Sequence, residues 1–278
     1  MRYNPYKVYM EVTRQCNLKC PHCMRGPAQD VVLSKEDIDA FFDKLNCDSI
    51  KSFTFGGGEP TLAPEIVSYI VDQIIARNIE IHAGLITNGK EFNREVADAL
   101  IRLDEYEKQR REPGVSTDYV SSNIVLGFSV DKYHNIDNSK VKEAYRKYCK
   151  WIHLYDNTVP DDRVKHTGNA TFGIPYTYWH YPVYYHVEDD DTVFIDGEIN
   201  LSARGFVNTN GEGSYVDMDK VNYGHIQDFD VRKFLLEHGN RVAVLHTIET
   251  GSDGQKRVIE RKLGYLKWYI IYMIYILK

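Results

Sequence analysis

Four runs, "KVYMEV", "SIKSFTF", "IEIHAGLIT" and "NIVLGFSV", are nearly continuous in apolar and β-branched residues. Each is followed by a segment whose apolar residues recur at helical spacing. Strand then helix, four times over, leaves few folds open. Parallel strands need a crossover and are covered on both faces, so they read as unbroken apolar runs. The pattern predicts either a doubly wound sheet or a β/α barrel.

The helices carry their own punctuation. Ser34 caps the first, with Asp37 three residues on and Ile38, Phe41, Phe42 and Leu45 as its buried stripe. Pro64 opens the second, which presents Ile66, Ile70 and Ile74 on one face. Asn93 caps the third, with Val96, Leu100 and Leu103 inward. "DEYEKQRREPGVSTD" then reads as a charged loop. Ser139 opens the fourth, with Val141, Tyr145 and Tyr148 inward.

The residues suited to chemistry follow the strands. Cys16, Cys20 and Cys23 come after the first, "GGGEP" after the second, "TNG" after the third and "SVDKYH" after the fourth. No G-x-G-x-x-G fingerprint follows the first strand. Strand C-terminal ends are where barrels and open α/β sheets place their sites. A barrel-type top face fits this distribution best.

Three of the five cysteines lie at Cys-x-x-x-Cys-x-x-Cys spacing. Three thiolates are one short of a closed zinc tetrad, though one of the ten histidines could complete it. Three thiolates on an iron–sulfur cluster leave one iron open, which suits ligand chemistry better than electron transfer alone. His22, between Cys20 and Cys23, is poorly placed to join them. Cys47 and Cys149 lie on or near helices and read as small buried hydrophobes.

Composition narrows the partners. The chain has 278 residues, 43% hydrophobic, and a formal net charge of −6. Without a long basic run it lacks the footprint of a nucleic-acid binder. "MRYNPYKVYMEV" has neither an apolar h-region nor a cleavage site, so no secretory signal is read, and a cytoplasmic setting with metal or redox chemistry is expected. The tail "YLKWYIIYMIYILK" has an apolar run, Trp268 to Leu277, too short to span a bilayer. It reads as a terminal element packing on the domain, with a surface contact as the alternative.

"CNLKCPHC" followed by "GGGEP", "TNG" and "SVD" in that order resembles the radical S-adenosylmethionine (radical SAM) superfamily. The resemblance is clear over about residues 6 to 150. It implies an α/β fold, a partial (β/α)6 TIM-like barrel with a small C-terminal extension. It also implies two cofactors, a [4Fe–4S] cluster and S-adenosylmethionine. Cys16, Cys20 and Cys23 would hold the cluster, with the methionine part of S-adenosylmethionine on the open iron. His22 would lie beside adenine. Gly57, Gly58 and Glu59 would meet the methionine amino group, and Ser129 and Asp131 the ribose. Thr87 and Asn88 would stand on the same rim. Reductive cleavage would give a 5′-deoxyadenosyl radical that abstracts hydrogen from an unidentified substrate, a small molecule or a peptide. A reductant such as flavodoxin or ferredoxin would supply the electron. The alternatives are a single-cluster electron-transfer protein and a zinc-stabilised binding module, in neither of which "GGGEP" has a task.

The second half carries less. The core is expected over 1–185 and an extension over 186–278. "FGIPYTYWHYPVYYHV" reads as aromatic strands closing the barrel side, with a cavity lining as the alternative. "EDDD" reads as a solvated turn, "TVFIDGEINLSA" as a hairpin turning at Asp196–Gly197, and "DFDVRKFLLEHGN" as a late helix. This part resembles the extension of peptide-modifying radical SAM enzymes, in which a cysteine binds an auxiliary cluster. Here that place falls near Ser202, and no cysteine occurs after Cys149. One cluster, and no auxiliary one, is expected.

Overall fold

The computed structural model describes residues 1–110, 122–134, 136–158, 183–209 and 222–241. It also describes the short strands named below and Asn169. The aromatic tail and most of the "FGIPYTYWHY" stretch lie outside the described residues.

Strand β1 (Arg2–Thr13) leads to α1 (Lys35–Leu45), β2 (Ser49–Gly57), α2 (Pro64–Ala76), β3 (Glu80–Thr87), α3 (Arg94–Arg110), β4 (Ile124–Ser129), α4 (Ser139–Tyr148) and β5 (His153–Asn157). Two short strands follow, β6 (Lys165–His166) and β7 (Ile174–Pro175), then β8 (Val183–Val187), β9 (Thr192–Leu201) and β10 (Val207–Asn208). The described chain ends with α5 (Val231–His238), β11 (Gly239–Arg241) and the pair β12 (Val244–Thr250) and β13 (Lys256–Lys262). The main sheet runs β11-β8-β9-β1-β2-β3-β4-β5, with β10 beside β9. Strands β1 to β5 pair parallel in sequence order. Among the described strands the sheet does not close, which is the form of a partial barrel.

One register row explains why these runs are strands. Met10 pairs with Phe55, Phe55 with Leu85, Leu85 with Leu126, and Leu126 with Leu154. The first four are fully buried and pack with helix residues such as Phe41, Ile70 and Leu100. The alternate face of β1 carries Lys7, Tyr9 and Glu11, because successive side chains point to opposite sides. The helix caps fall as the sequence predicts. Asp37 N–H donates to Ser34 Oγ at 3.1 Å, and Val96 N–H to Asn93 Oδ1 at 3.1 Å.

Two expectations change. Helix α3 continues to Arg110, so the first half of the "charged loop" is helical. Two of its acidic residues look exposed in sequence but bond to the fold: Glu107 accepts from Ile81 N–H at 3.1 Å, and Asp104 accepts from Ser122 Oγ at 2.5 Å. The hairpin at Asp196–Gly197 is absent. Strand β9 runs through both residues and pairs parallel with β1. Pro5 opposes Ile195 and Lys7 opposes Glu198, so Asp196–Gly197 supply the extra residue of a β-bulge. The hairpin turns instead at Glu188–Asp191, between antiparallel β8 and β9. There Thr192 N–H donates to Asp190 Oδ1 at 3.0 Å. The division drawn at 185–186 therefore falls inside β8, and β9 belongs to the main sheet. The late helix forms as α5, burying Val231, Phe234 and Leu235.

Candidate active site

Parallel pairing brings the C-terminal ends of β1 to β4 to one edge of the sheet, and all the residues singled out in sequence sit there. The cysteine loop leaves β1 at Thr13. "GGGEP" zips that loop to the end of β2. Gly58 N–H donates to the Thr13 carbonyl at 2.7 Å, and Glu59 N–H to the Gln15 carbonyl at 2.8 Å. Gly57 has φ +131°, and a Cβ there would lie 2.2 Å from the Thr13 oxygen. A Cβ on Gly58 would lie 2.3 Å from the Gln15 oxygen. These glycines are needed where one backbone presses on another.

Glu59 is 1% exposed and serves as a hub. Oε1 accepts from Thr61 N–H at 3.2 Å, Thr61 Oγ1 at 2.7 Å and Thr87 Oγ1 at 2.7 Å. Oε2 accepts from Asn88 N–H at 2.7 Å. Burial raises its pKa above the ordinary value, against the lowering effect of these bonds. The carboxylate thus ties the end of β2 to the rim after β3. Thr87 and Asn88 are accordingly committed to protein partners. Asn88 Nδ2 also donates to Asn17 Oδ1 at 2.9 Å, inside the cysteine loop.

Cys16, Cys20 and Cys23 are free, partly buried thiols that line one pocket with Arg14, Arg25, Gly58 and Asn169. Neither Cys47 nor Cys149 joins them; both are buried elsewhere. Burial pushes the Cys20 thiol up to about 11 and raises Cys16 as well. Metal loading must displace those protons.

After β4, Ser129 is buried and its carbonyl accepts from Asn138 Nδ2 at 3.2 Å. Asp131 accepts from Tyr133 N–H at 3.0 Å. His22 stacks on Tyr133 with ring centroids 4.7 Å apart and meets His134 edge-on at 4.9 Å. Its Nε2 is 3.7 Å from Asp131 Oδ2. Burial lowers the His22 pKa, opposed by Asp131. His22 and Asp131 thus stand together, with His22 turned to the β4 rim.

Sequence reasoning missed two residues of the site. Glu11 is fully buried; it accepts from Arg14 Nε at 3.1 Å and Ala203 N–H at 3.0 Å, and Arg25 Nη1 is 3.4 Å from it. The alternation of "KVYMEV" does place it on the face opposite the core, which was a usable signal. Asn169 clasps the cysteine loop from far along the chain. Its N–H donates to the Cys23 carbonyl at 2.8 Å and its Nδ2 to the Cys20 carbonyl at 3.3 Å. No local pattern announces it.

The family model of the radical SAM superfamily matches residues 10–158, more than half of the chain and all four strand ends. The chain belongs to the radical SAM superfamily. Fe-coproporphyrin III synthase of Methanosarcina barkeri is 37% identical over 100 residues, covering 34% of this chain and 23% of that protein. Mycofactocin maturase MftC of Mycobacterium ulcerans is 32% identical over 102 residues, covering 36% and 27%. The match thus spans about a quarter of each of these relatives. Among solved structures, histidine-tagged anSMEcpe with bound AdoMet aligns at TM-score 0.53 and 17% identity, over 83% of this chain and 80% of that one. That likeness is one of fold.

Radical SAM proteins bind a [4Fe–4S] cluster and S-adenosylmethionine, and the residues present fit the cluster. Three thiols free of disulfides converge on one pocket. No fourth cysteine and no histidine lines it among the described residues, so a closed zinc tetrad lacks its last ligand there. Gly58 lines the same pocket, where a side chain would have to displace the loop backbone. Among the described residues no helix is long and apolar enough to cross a membrane.

Proposed function

We propose that this radical SAM chain is an enzyme that reductively cleaves S-adenosylmethionine and abstracts hydrogen from a substrate. The observation that carries the reading is the three-thiol pocket at the C-terminal edge of a parallel sheet, with no fourth protein ligand among its described residues. In this reading Cys16, Cys20 and Cys23 hold the cluster, and the cofactor lies along the rim from β2 to β4. When bound, the cluster supplies the electron that splits the sulfonium.

The chain's own residues bind and orient. Main-chain groups of Gly57 and Gly58 face the methionine amino group. Glu59 acts there through the loop it anchors, since its oxygens already accept four protein hydrogen bonds. Thr87 and Asn88 set the rim in the same indirect way. His22 lies beside adenine, and Ser129 and Asp131 take the ribose. The substrate is a peptide or small molecule entering at the top of the open sheet. The peptide-modifying character of the sequence resemblance supports the former. The reading carries a cytoplasmic setting and a reductant of flavodoxin or ferredoxin type.

The test is direct. Anaerobically reconstituted protein, given dithionite and S-adenosylmethionine, should release 5′-deoxyadenosine and methionine in equal amounts. An electron-transfer protein or a zinc module would release neither, and that outcome overturns the proposal.

A further inference from the structure

The rim after β4 gathers His22, Asp131 and His134, of which the cofactor reading uses the first two and leaves His134 over. Residues 131–134 form one turn, with His134 N–H donating to the Asp131 carbonyl at 3.2 Å. The turn stacks a carboxylate and an imidazole on the same side. His22 comes over from the cysteine loop, its ring fixed against Tyr133. One ligand atom from each of His22, Asp131 and His134 can be chosen so that all three lie within 4.8 Å of one another.

Their polar atoms are poorly satisfied. The side chains are 10%, 6% and 15% exposed respectively. Asp131 Oδ2, His22 Nδ1 and His134 Nδ1 are buried without a hydrogen-bond partner. His134 Nδ1 lies 2.9 Å from Asp131 Oδ1 but is not aligned for a hydrogen bond. A buried carboxylate with an unpaired oxygen carries a desolvation cost that a nearby cation would offset. Two imidazoles and a carboxylate with ligand atoms this close together are a donor set for a first-row divalent ion. The Tyr133 N–H on Asp131 Oδ1 supplies the outer-shell bond that orients such a ligand.

We infer that His22, Asp131 and His134 form a divalent-metal site, separate from the cysteine pocket and available in the protein free of S-adenosylmethionine. The site shares His22 and Asp131 with the proposed adenosine contacts but does not depend on that reading.

The experiment uses full-length protein with its cysteines occupied by reconstituted cluster and loose metal removed. Calorimetric titration with Zn2+ should show one equivalent bound. His134→Ala should weaken that binding at least about tenfold. Binding that is absent, or equally tight in His134→Ala, overturns the inference. A second arm removes the cysteines as competing ligands. Cys16→Ser/Cys20→Ser/Cys23→Ser protein titrated with Co2+ should show visible d–d bands without sulfur-to-cobalt charge transfer. Cobalt bands seen only when the cysteines are present also overturn it. The 5′-deoxyadenosine assay, run without added divalent metal, judges the cofactor reading separately.

Discussion

Replacing Glu59 with Ala should unsettle the fold before it touches any ligand. The substitution removes the acceptor for two backbone N–H groups, Thr61 and Asn88, and for the hydroxyls of Thr61 and Thr87. Hydroxyls rotate to other acceptors, but the two amides cannot. Each buried amide left unpaired costs roughly 1–3 kcal/mol, so the two together should cost about 2–6 kcal/mol, to which the emptied volume adds. Glu59→Gln keeps one acceptor oxygen and should cost clearly less. Anaerobic urea unfolding of the cluster-free protein, followed by circular dichroism, measures both. A loss below about 1 kcal/mol for Glu59→Ala would refute the hub assignment. The pH dependence supplies a second check. Burial raises the folded-state pKa of Glu59 above its ordinary 4.5, so the folded state holds that proton more tightly. This contribution is fully present below the unfolded value and is lost as pH rises through the folded one. The stability of wild type relative to Glu59→Gln should therefore fall as pH climbs from 4.5.

Cys16→Ala, Cys20→Ala and Cys23→Ala should each abolish cluster assembly, while Cys47→Ala and Cys149→Ala should keep about four irons per chain. Iron and sulfide analysis decides this, and loss of iron from Cys47→Ala would sink the three-cysteine assignment. Asn169→Ala removes the neutral hydrogen bond from Nδ2 to the Cys20 carbonyl, worth about 0.5–1.5 kcal/mol, and leaves the main-chain bond to Cys23 in place. The variant should fold with unchanged circular dichroism but lose its cluster faster in air, followed by bleaching of the visible absorbance; an unchanged rate would show that the Asn169 side chain does not hold the loop.

The strands were legible because their packing is written twice, once in local propensity and once in the buried face that propensity serves. Met10, Phe55, Leu85 and Leu126 read as strand residues singly and then meet in one register row. The misreadings come where tertiary pairing overrides a local signal. Asp196–Gly197 carries the strongest short turn signal, yet pairing with β1 absorbs it as a bulge. Asp104 and Glu107 look like loop residues, yet their carboxylates face Ser122 and Ile81 and finish a helix.

The site divides along the same line. Spacing brought out the cysteines, because three thiols at short intervals have few other uses in a chain of this composition. The family resemblance drew attention to Glu59, but as a ligand-facing acid. A carboxylate beside glycines at a strand end suggests a bound ammonium, and only the fold shows that Thr61, Thr87 and Asn88 reach it first. Asn169 lies 149 residues from Cys20, and its bonds run to main-chain carbonyls, which every residue possesses. Contacts of that kind leave no mark on side-chain identity at the partner. The cysteine loop is thus specified locally by its thiols and held globally by backbone groups, through Gly58 on one side and Asn169 on the other. A sequence carries the first kind of information in residue types, and the second only through the fold those types produce.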